Sequence, residues 1–378
     1  AFAFGSPIAN AQSTPAGSVL ESAFVREVGK QGLDHLYNLE FDAAQAAFVQ
    51  IDQRYPGHPV GPFLRSLTIW WEILLDIQDQ SRDDDFYRAM EEVIERSDRM
   101  LDRDSRSVDA MFFKGAALGF RGRLKSNRGD WFKAAMDGKK AMDYVLAVPK
   151  VDANNPDFVF GKGLYDYFAA IVPQRYPFVK PVMAFFPKGN RQEGLREIQR
   201  TADEGYFIRA EAAYFLLQIN YLYELDFQAC LKYVSWLRDE YPRNSFFHAL
   251  EGRVYAKWND RDNAARVFRE IVDLYTDGRP GYNDPLAEQA LYYLARLRMS
   301  HRDYDGALTY LLQLEALSAR SDDDTYFKVM GRLRQGMAYD ALGKRVLART
   351  RYREVLKMKS HARSHDRAET YLKKPYRG

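Results

Sequence analysis

Apolar residues along this chain fall mostly at helical spacing, and the runs come in pairs. Between Phe86 and Leu101, for example, Phe86, Ala89, Met90, Val93 and Met100 recur on one helical face. The pairing repeats at roughly 34 residues. The predicted pairs cover Val25 to His58, Val60 to Leu101 and Ser107 to Val148. They continue over Asp157 to Ala202, Glu211 to Pro242, Ser245 to Thr276, Glu288 to Ser321 and Val329 to Ala362. A last helix, Ser364 to Leu372, is expected to cap the apolar end.

Inside the pairs the same marks return. The first shows Gly32, Phe41-Asp42, Ala44, Phe48 and Pro56. A later one shows Gly252, Tyr255, Ala264 and Phe268, and the last Gly336, Tyr339, Gly343, Ala348 and Tyr352. Small residues let helix axes approach, and Pro cannot continue a helix. In the fifth pair this register puts Cys230 at a small-residue position, which predicts a buried, structural thiol.

One stretch departs from the pattern. Asp157 to Gly205 holds Pro173, Pro177, Pro181 and Pro187, then Gly189-Asn190, before a charged amphipathic helix. Its helices are expected over Asp157 to Val172 and Asn190 to Ala202. The link of about 17 residues exceeds the usual 2–8 between paired helices. The link is apolar, with Phe178, Val179, Val182, Met183, Phe185 and Phe186, so it must be buried against the array or against something else.

Composition narrows the function. At 46% apolar and 28% charged residues the chain suits a soluble, cored protein. A net charge of +3 gives no argument for nucleic acid. Gly343 to Gly378 is locally basic, with Glu354, Asp366 and Glu369 its only acids. A solvated terminal helix is the simpler reading of it, and contact with an anionic surface the sharper one. The abundant Tyr and Phe are expected mainly to fill holes beside Ala and Gly.

Candidate chemistry adds little. The single cysteine excludes an internal disulfide framework. Only His361 and His365 share a helical face, and a solvated pair is favoured over a metal site. Asp83-Asp84-Asp85 reads as a helix cap, since a calcium loop needs a central Gly. Gly115, Gly119 and Gly122 read as close helix packing, because no strand precedes them and no Gly-Lys-Ser/Thr follows. No catalytic constellation and no cofactor motif is found, so an enzyme is not expected. No window is long and apolar enough for a transmembrane span. Ala1 to Phe4 followed by Ala9-Asn10-Ala11 looks like the tail of a secretory signal peptide cleaved after Ala11. That predicts a periplasmic or secreted protein, with the cytoplasm as the alternative.

The marks of the pairs resemble those of tetratricopeptide repeats, strongly in five pairs and weakly in three. The resemblance implies an all-α, right-handed α-solenoid of about eight helix pairs with a C-terminal capping helix. It also implies a concave wall, built from the first helix of each pair, that grips a protein or peptide. By register that wall presents Tyr223, Phe246, Arg253, Lys257, Tyr292, Arg296 and Met337. The cationic cluster beside Tyr292 suits an acidic or C-terminal peptide. No Asn stands where chaperone-binding members place one, so that partner is not implied. The central order GLYDYF…VP…FFPKGNRQEGLREI is similar to a tetratricopeptide family that includes the inclusion-body-clearance protein, with Asn190 in place of its Asp. Bacterial tetratricopeptide proteins look similar there too, and share a closing Ser364-His365-Asp366-Arg367-Ala368, Tyr371-Leu372 and Pro375.

The expected organisation is a signal remnant over 1–11, a flexible segment over 12–20 and irregular pairs over 21–156. The pair with the insertion follows over 157–206, regular repeats over 207–362, and a cap and tail over 363–378. The expected function is a non-enzymatic interaction scaffold of the cell envelope. The alternative is an envelope component that binds a glycan or membrane surface through Phe178, Met183, Phe185 and Phe186. End-to-end stacking into homo-oligomers is a further expectation.

Overall fold

The hairpins share one turn. In six of them the first helix gives way to a residue with left-handed backbone, and the next residue is the N-cap of the second helix. Leu39, Leu225, Asn259 and Arg302 hold φ between 57° and 64°, and Gly129 and Gly343 hold 82° and 75°. Asp follows four of these six and works as a side-chain cap. Asp130 accepts from the Lys133 N–H, Asp226 from Ala229, Asp260 from Asn263 and Asp303 from Gly306. Five residues past the turn stand Ala44, Cys230, Ala264, Ala307 and Ala348, each with no exposed surface. A larger side chain there would hold the two helices apart.

This structure is a computed structural model that describes residues 17–180 and 186–378, and every regular element among them is helical. The described residues up to Ile73, with Asp79–Phe215, form one compact unit. Leu74–Gln78, with Leu216–Gly378, form another. The signal-like segment 1–11, most of the segment 12–20 and the link residues Val182, Met183 and Phe185 lie outside the described residues, as does the side chain of Phe178.

The first unit runs through α1 (Ala23–Tyr37), α2 (Phe41–Arg54), α3 (Val60–Leu75), α4 (Asp83–Arg103) and α5 (Val108–Asn127). It continues with α6 (Trp131–Val145), α7 (Val148–Val151), α8 (Pro156–Arg175), α9 (Arg191–Glu204) and the start of α10 (Arg209–Ile219). Consecutive helices pack as hairpins: α1 on α2, α4 on α5, α5 on α6 and α8 on α9. Asp109, buried on α5, accepts hydrogen bonds from the Ser18 hydroxyl and the Val19 N–H (2.6 Å), and lies 3.3 Å from His58 Nε2. The His58 Nδ1 accepts from the Val60 N–H, so Nε2 carries the proton it gives to Asp109. This fastens the chain start to α5. Asp157, in the first turn of α8, accepts the backbone N–H groups of Tyr206, Phe207 and Ile208 at 3.1–3.3 Å. It thereby fixes the approach to α10.

Several expectations change here. α8 does not stop at Val172 but runs through Pro173 to Arg175. Proline costs a helix one backbone bond there, and burial of Tyr167 and its neighbours outweighs it. Asp83 starts α4 instead of preceding it, and makes no cap; it is buried and takes Arg128 on two nitrogens, at 2.6 and 2.8 Å. Gly115 and Gly122 sit at close contacts with α6, as expected. Gly119 does not: a Cβ there would meet nothing within 4 Å.

The second unit holds the end of α10, a π-helical turn Asn220–Glu224, α11 (Phe227–Glu240), α12 (Ser245–Lys257) and α13 (Arg261–Thr276). After these come α14 (Asp284–Ser300), α15 (Tyr304–Ser318), α16 (Tyr326–Ala341), α17 (Arg345–Val355) and α18 (Ser364–Lys373). The layer pairing of the repeat is literal. A Cβ on Gly252 would come within 2.8 Å of the Phe268 ring, and one on Gly336 within 2.4 Å of Tyr352. In the first unit Gly32 faces Phe48 at 2.4 Å. The aromatic lies sixteen residues on each time (48 − 32, 268 − 252, 352 − 336). Cys230 is fully buried, its thiol 3.8 Å from the Leu217 carbonyl and pushed up to about 12 by burial. That makes it structural and inert.

α18 covers the last hairpin through buried Ala368 and the Tyr371–Tyr352 ring contact, the cap that was expected. His361 and His365 are not a solvated pair. Their Nε2 atoms lie 2.7 Å and 2.8 Å from the carbonyls of Asp324 and Met358, which fasten the connection into α18.

His248 is nearly fully buried on α12, its Nδ1 2.9 Å from the Tyr282 hydroxyl. Burial first, then Arg238 and Arg266, hold its pKa down at about 3. The folded ring is therefore neutral, whereas the unfolded one takes a proton near pH 6.5. Unfolded chains bind more protons as pH falls from about 6.5 towards 3, and stability falls with it. Urea unfolding should show about 1.5 kcal/mol lost between pH 6.5 and 5 from this group. His248→Phe should lack that loss; an equal pH response in the variant would assign it elsewhere.

Candidate functional site

The expected wall residues lie in the second unit, on first helices that pack side by side: α12 on α14 and α14 on α16. Arg253 and Lys257 are one turn apart on α12, and both point at the ring of Tyr221, at 5.4 and 4.1 Å from its centroid. Lys257 Nζ also donates to the Tyr221 carbonyl. On α14, Arg296 lies 5.8 Å from the Tyr292 ring and 5.2 Å from Tyr293. Arg334 of α16 joins them, 5.2 Å from Tyr292. Four cations thus share a short aromatic ridge.

The ridge combines ring contacts with cations that lack an acid. Several other cations of the unit are matched: Arg238 with Glu251, Arg266 with Glu270, Arg332 with Glu315 and Arg351 with Glu354. Arg253, Lys257, Arg296 and Arg334 have no carboxylate within ion-pair reach among the described residues, and the Arg334 Nε is buried without a hydrogen-bond partner. Desolvation, with Arg253 nearby, lowers the Lys257 pKa. Cation–π contacts stabilise such charges by about 0.5–1 kcal/mol each when exposed, which does not replace an anion.

The structure places the other expected wall residues differently. Tyr292 is 2% exposed, packed between Tyr326 and Phe327, so it supports the ridge from below instead of presenting itself. Met337 is also buried, within the core of the last hairpins. Tyr223, in the π-helical turn, and Phe246, at the start of α12, are half-buried. Of the insertion residues, only Phe186 has a described side chain, and it is half-buried. Sequence reading missed Arg334, whose signal was its first-helix position one repeat beyond Arg296.

A second feature lies wholly within the first unit. A partly enclosed cavity of about 440 Å³ is bounded by α1, α3, α5, α6, α8 and α10. Its walls are almost entirely apolar, with Leu33, Phe63, Phe112, Met142, Val145 and Phe168 among them. The space is open to solvent on one side.

Its polar groups converge. Tyr37, Arg123 and Glu211 all line the cavity. The Tyr37 hydroxyl donates to Glu211 Oε1 at 3.4 Å, and the Arg123 Nη2 donates to the Tyr214 hydroxyl at 3.2 Å. Glu211 Oε2 and Arg123 Nη1 are buried with no partner among the described residues. Burial pushes the Glu211 carboxyl above its ordinary range, against the pull of the Arg123 guanidinium and the Tyr37 hydroxyl.

Among the described residues no group of His, Cys, Asp and Glu is arranged to hold a metal, and no helix is long and apolar enough to cross a membrane. No known family's sequence model matches the chain, and no curated protein matches it. Among solved structures, the crystal structure of the yeast Tom70 is similar, with a TM-score of 0.44 at 10% identity over 93% of this chain and 81% of that one. The repeat architecture rests on the shared turn, the small-residue positions and the glycine–aromatic layer, not on that likeness.

Proposed function

We propose that this chain is a non-enzymatic interaction scaffold that binds an acidic peptide or acidic protein segment across α12, α14 and α16 of the second unit. One observation carries the reading: Arg253, Lys257, Arg296 and Arg334 cluster over the rings of Tyr221, Tyr292 and Tyr293 with no carboxylate among the described residues in ion-pair reach. Cations held over rings keep fixed directions, and a carboxylate presented by a partner supplies the missing charge. A role in the cell envelope is part of the proposal and is supported only by the sequence pattern ending at Ala11.

Fluorescence anisotropy with acidic, neutral and basic peptides of equal length tests it. Acidic peptides should bind most tightly, and weaken as salt rises. The combined variant Arg253→Glu, Lys257→Glu, Arg296→Glu should lose at least about tenfold in affinity, the range expected when charge-assisted contacts are reversed. Equal binding of acidic and basic peptides, or an unaffected variant, would refute this reading.

A further inference from the structure

We propose that the cavity of the first unit binds a long-chain monocarboxylate, with its acyl chain along the apolar walls and its carboxylate against Arg123. The volume of about 440 Å³ falls within the range of small-molecule sites, and so does the design of apolar walls with few convergent polar groups. Two glycines, both exposed, border its open side. A Cβ on Gly119 of α5 or on Gly138 of α6 would meet no atom within 4 Å, and both line the cavity.

The polar end selects the headgroup. The Arg123 guanidinium lies over the rings of Trp70, Tyr214 and Phe215 at 5.0, 5.5 and 4.9 Å, which fixes its plane. Its buried Nη1 then lacks only an acceptor, and a carboxylate oxygen is the strongest one for a guanidinium. The second ligand oxygen would meet Glu211, whose carboxyl burial pushes above its ordinary range and whose Oε2 has no partner among the described residues; a proton held there would be shared with the ligand. Glu211 is itself held through Oε1 by Tyr37. Gly138 is exposed on α6, and Trp131, 70% exposed, lies two turns before it on the same helical face.

Titration of the full chain with cis-parinaric acid, followed by its fluorescence, tests the site. Binding should saturate at one probe per chain and be displaced by palmitate at least tenfold more readily than by hexadecanol. Gly119→Leu and Gly138→Leu should each fill the space and weaken the probe at least tenfold with the far-ultraviolet circular dichroism unchanged. Arg123→Met should weaken palmitate at least tenfold and leave hexadecanol unaltered. If Arg123→Met does not fold, the two glycine variants and the acid-to-alcohol ratio decide. Absence of saturable binding, or binding undiminished in both glycine variants, overturns the site. Equal displacement by acid and alcohol overturns the carboxylate assignment.

Discussion

Gly194→Val is expected to destabilise the first unit by about 3 kcal/mol or more, at the upper end of the cost of overpacking. α8 and α9 cross where Gly194 faces Gly163. A Cβ on Gly194 would come within 2.5 Å of the Tyr167 backbone nitrogen and 2.6 Å of the Gly163 carbonyl oxygen. These are main-chain atoms of a helix, so no rotamer change relieves the clash. The axes must separate, and Ile198 and Tyr167, both fully buried at the interface, would be exposed in part. Hydrogen exchange over α8 and α9 reads the loss locally, and the urea midpoint reads it for the unit. Gly119→Ala is the internal control, because the added methyl meets nothing within 4 Å. It should leave stability unchanged or raise it by roughly 0.5–1 kcal/mol through helix propensity. If both substitutions behave alike, the close crossing of α8 and α9 is wrong.

Asp157→Ala should cost about 3 kcal/mol, because it orphans the three N–H groups of Tyr206, Phe207 and Ile208 at roughly 1 kcal/mol or more each. Burial pushes this carboxyl above its ordinary pKa even though three donors oppose the shift. The position thus carries a desolvation cost that the backbone contacts offset. Asp157→Asn keeps an acceptor oxygen without the charge, and should cost roughly 1 kcal/mol. The expected signature is an order, Ala well below Asn, with faster exchange at the amides of 206–208 and in the first turn of α10. An alanine variant within about 0.5 kcal/mol of the parent would show that water satisfies those amides.

The repeats were legible because their physics is local. A small residue must stand where two helices of one hairpin approach, and the large residue that fills the gap follows at a fixed distance. Gly32 with Phe48, Gly252 with Phe268 and Gly336 with Tyr352 could be read from spacing, as could Cys230 at a small-residue position. Helix ends were less legible. Pro173 reads as a stop, yet packing of α8 on α9 carries the helix past it. Asp83 reads as a cap, yet Arg128, 45 residues away, takes its charge.

The candidate sites depended on contacts between distant residues. Arg253, Lys257 and Arg296 could be placed on first helices by register, but register does not say which cations lack an acid, since pairs such as Arg238 with Glu251 form between different helices. Tyr292 was expected on the wall and lies beneath it, because Tyr326 and Phe327 from the next hairpin cover its ring. The cavity left no mark that spacing could reveal. Gly119 looked like Gly115 and Gly122 in the sequence, and only the position of α6 and α8 shows that nothing fills the space beside it. The sequence by itself determined helix pairing, the layer of small and large residues, and the chain's all-α class, because each depends on neighbours within one hairpin. Tertiary structure alone decided which charges are matched, which rings are covered and where space is kept, because those depend on residues that only packing brings together.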